Sequence, residues 1–86
     1  MSKYEFSLRQ EVLLEKGAAV LGDLFRYKRQ NKITEKTHPI SAMYSLIWKA
    51  KQDVLLADSE SDLAKIEGQF NLANQVLTEI EASVNA

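Results

Sequence analysis

Eighty-six residues, 45% of them hydrophobic and with a formal net charge of -1, describe one folded domain rather than a disordered chain. Cysteine is absent, which excludes disulfides, thiolate catalysis and cysteine metal sites. No apolar run approaches the roughly 20 residues of a membrane span, and "MSKYEFSLRQ" lacks the apolar core of a signal peptide, so a soluble, cytoplasmic chain with no membrane partner is expected.

The first helix is expected over about residues 3–30. Ser2 with Glu5, or Ser7 with Gln10, supplies a capping box at its start. Phe6, Leu13, Leu14, Gly17, Val20, Leu21, Leu24 and Phe25 then recur at the period of one helix face. Glu11, Glu15, Arg26 and Arg29 fall on the opposite side. Gly17 lies inside the apolar stripe, where it costs about 1 kcal/mol relative to alanine. A close approach by another helix is the physical reason to keep it there.

The apolar period breaks after Asn31, and a connection is expected over 31–38. Pro39 disfavours helical geometry at His38 and suits the first turn of a second helix, about 39–57, capped by Thr37 or His38. Ile40, Met43, Tyr44, Ile47, Ala50 and Val54 share one face of that helix. Leu46, Trp48 and Leu55 broaden it to about half the circumference, which predicts a central position in the bundle. Asp58 or Ser59 then caps a third helix, about 60–84, with Asp62 in its first turn. There Leu63, Ile66, Phe70, Ala73, Leu77, Ile80 and Val84 alternate steps of three and four. That seam needs a partner helix along its whole length.

These elements make an all-α, three-helix unit spanning 1–86. The second and third helices form an antiparallel hairpin, because the connection between them is short, and the long first helix packs along it. Since the first helix outreaches the second, part of it is expected to lack intramolecular cover, which points to an oligomer or a partner helix.

Catalysis finds no support in the residues. His38 is the sole histidine, so a histidine triad or metal site lacks its other members, and its helix-start position beside Pro39 explains it. Glu11 and Glu15, flanked by Arg9 and Lys16, read as a solvated face rather than a cation site. No phosphate loop, GxSxG or HExxH occurs. The chain is expected to be no enzyme, with no cofactor and no metal.

The charge is unevenly laid out. Residues 26–52 carry seven bases and only Glu35, whereas 53–86 carry seven acids and only Lys65. The basic stretch "FRYKRQNKITEKTHPI" interleaves bases with aromatics, as a nucleic-acid groove does. Three features oppose that use. Phe25 lies on the core stripe and is expected to be buried, Lys28 is in line with that stripe, and the pI is about 5.8. The function expected is therefore protein–protein interaction, as an adaptor, assembly factor, chaperone or inhibitor, with a nucleic-acid-associated factor as the alternative. Candidate partner-binding residues are Arg26, Tyr27, Arg29, Lys32 and Lys36 of the basic segment. Trp48, Leu56 and Leu72, apolar residues off the core stripes, join them.

Overall fold

A computed structural model of the chain describes residues 2–84. Three helices follow in order: α1 (Lys3–Gln30), α2 (Pro39–Leu56) and α3 (Glu60–Val84). Each start is held by the side chain that chemistry favours. The Ser2 hydroxyl accepts the Glu5 N–H at 3.1 Å, and the Nδ1 of His38 accepts the Ile40 N–H at 3.1 Å. For α3, the Ser59 hydroxyl accepts the Asp62 N–H at 3.2 Å. Each bond satisfies a donor that has no carbonyl partner in a first helical turn.

The end of α1 is built differently. Lys32 adopts the left-handed conformation, with φ 53°. Its N–H donates to the Arg29 carbonyl and that of Ile33 donates to the Lys28 carbonyl at 2.9 Å. This pattern is a Schellman ending, usually built on glycine at the Lys32 position.

Contacts across the bundle fix the directions. Gln10 of α1 donates to the Val54 carbonyl of α2 at 2.9 Å, while Phe25 of α1 meets Tyr44 near the other end of α2, so α1 and α2 are antiparallel. Arg9 pairs with Glu60 and Lys16 with Glu67, so α1 and α3 are parallel. The second and third helices therefore form the expected antiparallel hairpin, joined by Ala57, Asp58 and Ser59.

All three helix pairs are in contact. No helix is central, which corrects the expectation for α2. The core is Leu13, Val20, Leu21 and Leu24 of α1, Ile40, Ile47, Ala50 and Val54 of α2, and Leu63, Ile66, Phe70, Ala73 and Leu77 of α3. Phe70 and Leu63 are fully buried; burying such a side chain contributes about 1.5–3 kcal/mol. Ile80 continues the α3 seam half-buried, and the side chain of Val84 lies outside the described residues.

Two parts of the expected core are exposed instead. Phe25 is 50% exposed, and Leu46 and Leu55 lie on the open sides of α2, together with Trp48, which was also expected as a partner contact. With two neighbours rather than three, α2 can cover only the arc that carries Ile40, Ile47, Ala50 and Val54. Gly17 does mark a close crossing: a Cβ built there would lie 2.8 Å from Cζ of Phe70.

Candidate protein-binding surface

At a rise of 1.5 Å per residue, α1 is about 42 Å long and α2 about 27 Å, in a molecule whose longest dimension is 45 Å. The first helix thus runs the length of the protein and projects past the end of α2. Its early turns carry the row Tyr4, Leu8 and Val12, which are 74%, 43% and 60% exposed. Spacing of four residues places all three on one side of the helix. The sequence carries this row openly, but the stronger stripe through Leu13, Gly17 and Leu24 masks it.

A second exposed region lies where α1 meets α2. The Phe25 and Tyr44 rings are 6.5 Å apart and inclined at 46°. The Lys28 ammonium stands over the Tyr44 ring, 5.3 Å from its centroid, and that of Lys51 over Trp48 at 5.9 Å. Further along, Leu14 and Ala18 of α1 and Lys51 and Leu55 of α2 line a depression of about 350 Å³, with Glu15 and Gln52 also at its wall.

The residues singled out from the sequence are distributed over several surfaces. Arg26 and Arg29 line one trough with Gly22, Phe25 and Gln30, and Arg26 forms an ion pair with Asp23 at 3.4 Å. Tyr27 packs half-buried against the core. Lys32 and Lys36 are exposed in the connection after α1. Trp48 is half-exposed beside Lys51, whereas Leu56 and Leu72 are 80% and 61% exposed. Leu56 borders a separate depression between α2 and α3 with Asp62, Lys65 and Ile66. The basic residues therefore do not form one continuous face.

One carboxyl at the start of α3 is perturbed by its neighbours. The Asp62 carboxyl is held below its ordinary value of 3.8, first by hydrogen bonding with the Asp58 side chain, then by the Asp58 backbone and the Ser59 hydroxyl. This is a helix-capping arrangement, where the dipole also favours a carboxylate. Among the described residues no group of three or more His, Cys, Asp or Glu is placed to hold a metal ion, and no helix is long and apolar enough to cross a membrane.

A small three-helix protein that exposes an aligned row of large apolar side chains, here Tyr4, Leu8 and Val12, has the surface of a chain that meets another protein. The family comparison agrees with that class. The chain belongs to the bacterial epsilon antitoxin family, which it matches over residues 2–80. No curated protein and no solved structure matches it.

Proposed function

We propose that this chain is a non-enzymatic inhibitor that neutralises a toxin protein by binding it directly, in the cytoplasm, with the outer side of α1 supplying the principal contact. The family match over residues 2–80 carries the reading. The α1 surface supports it further, because Tyr4, Leu8 and Val12 are large, exposed and aligned, as the anchors of a helix that lies in a groove are. The exposed bases Arg26, Arg29, Lys32 and Lys36 stand at the far end of α1 from that row, where they steer the approach of a negatively charged surface more than they add affinity. Without toxin, the same row is expected to pair with a second copy.

The test is co-expression with the cognate toxin, paired with titration of the two purified proteins. The wild-type chain restores growth and forms a stoichiometric complex. A variant with Leu8→Asp and Val12→Asp keeps its helical content, since both side chains are exposed, but loses protection. Full protection by that variant would remove α1 as the contact, and no complex with the wild-type chain would remove the inhibitor reading. Light scattering of the chain alone should show a dimer that persists in high salt, as an apolar interface does.

A further inference from the structure

We infer that the face where α1 and α2 meet is a second docking surface, and that it takes an acidic, amphipathic helical segment of a protein. The surface is built from two matched rows. On α1, Leu14, Ala18, Phe25 and Lys28 follow one flank; on α2, Tyr44, Trp48, Lys51 and Leu55 do the same at steps of four, three and four. At 3.6 residues per turn, the α1 flank lies about 120° around the helix from the Tyr4–Leu8–Val12 row. The two surfaces are therefore separate, and this one does not depend on how a toxin is held.

The chemistry is graded along the face. One end is basic and aromatic: Lys28 lies over Tyr44 and Lys51 over Trp48, with Arg29 beside the exposed Phe25. The other end is the depression lined by Leu14, Ala18 and Leu55, with Glu15 the carboxylate in its wall, and Lys51, which reaches Trp48, also borders it. An occupant that matches both ends bears carboxylates against Lys28 and Lys51 and a leucine-sized side chain in the depression. From Tyr44 to Leu55 the face extends about 17 Å, the length of three helical turns.

The same contacts favour carboxylates over nucleic acid. Stacking of bases needs open ring faces, and here each ammonium already covers a face of its ring. Each lysine head still has donors to spare, because an ammonium carries three N–H groups and a ring face occupies little of them. Holding the lysines over the rings also limits the rotamer freedom that an exposed ion pair would otherwise have to overcome.

Trp48 is the chain's one tryptophan, so its emission reports on this face directly. The probe is a synthetic amphipathic peptide of about 14 residues, long enough to cover the face, with glutamates along one end and leucines along the other. Titration into the full chain should shift Trp48 emission to the blue. Affinity should fall about tenfold between low and high salt, and at least about tenfold in the Lys28→Glu, Lys51→Glu variant, with its circular dichroism unchanged. Leu55→Ala, which removes an exposed side chain, should weaken binding independently of charge. A single-stranded oligonucleotide that shifts the emission where the peptide does not would overturn the proposal. So would a shift that grows with the concentration of the chain alone, which would make a second copy the occupant. Absence of any response to the peptide at millimolar concentration would overturn it too.

Discussion

Replacing Gly17 with alanine adds a single methyl group at a close crossing of α1 and α3. The new Cβ would lie 2.8 Å from Cζ and 3.2 Å from Cε2 of Phe70, and 3.3 Å from Cγ of Lys51. Carbon atoms in contact prefer about 3.5–4.0 Å. The lysine stem can swing aside, but Phe70 is fully buried in the core, where close packing resists displacement of a ring. Overpacking of this kind costs about 1–3 kcal/mol, against a gain of about 1 kcal/mol because alanine is the better helix former. The expected net change is a loss of about 1 kcal/mol. In a domain of this size that lowers Tm by about 4–8 °C, and Gly17→Leu should cost more. The other two glycines serve as controls in the same assay. Beyond the local helix backbone and the chain neighbours, no atom lies within 4 Å of a Cβ built at Gly22 or Gly68, so Gly22→Ala and Gly68→Ala should each stabilise by about 1 kcal/mol. Thermal unfolding followed by circular dichroism decides it. If Gly17→Ala raises Tm as the two controls do, the helices do not cross at this residue and the packing described is wrong.

Leu77→Lys would place an unpaired charge in the α3 seam, where Leu77 is 2% exposed; a loss of about 3–5 kcal/mol is expected in denaturant titrations, and an unchanged midpoint would disprove the seam. Lys32→Gly should stabilise by about 1 kcal/mol, because the left-handed backbone at Lys32 suits glycine and not a side chain with a Cβ; a loss of stability would show that the Lys32 side chain holds the connection. Asp62→Asn should reveal a pH-dependent contribution. The folded carboxyl titrates below 3.8, so its stabilisation is complete above the unfolded value and fades as pH falls through the folded one. The variant should be less stable than the wild type near neutrality and equal to it in strong acid; a gap that stayed constant with pH would assign the effect to shape alone.

The three helices were legible because their apolar residues repeat at helical spacing and their boundaries carry local chemistry. Asn31 closes α1, Pro39 opens α2, and Ser2, His38 and Ser59 were all among the expected caps. Such signals act over a few residues and need no tertiary information. The choice of exposed flank is a different matter. Phe25, Leu46, Trp48 and Leu55 are as apolar as the residues that became core, and only the number of neighbours around each helix decides which are covered. The Phe25–Tyr44 contact joins residues in different helices, so periodicity within either helix could not pair them. Lys32 was hidden for the opposite reason: a lysine gives no local hint of a conformation normally assigned to glycine.

The ion pairs between α1 and α3 recur one heptad apart, Arg9 with Glu60 and Lys16 with Glu67. Such a repeat is tolerant of slippage. If α3 slid by seven residues along α1, Glu67 would arrive opposite Arg9 and one of the two pairs would survive. Both pairs are also partly exposed, so each is worth at most about 1 kcal/mol. Charge therefore cannot index the two parallel helices against each other. The notch at Gly17 can, since in the slipped arrangement it would face Leu77, and the Phe70 ring would press on the side chain of Gln10. Against such a slip, the register of α1 on α3 thus draws on one missing methyl group and the ring that fills its place.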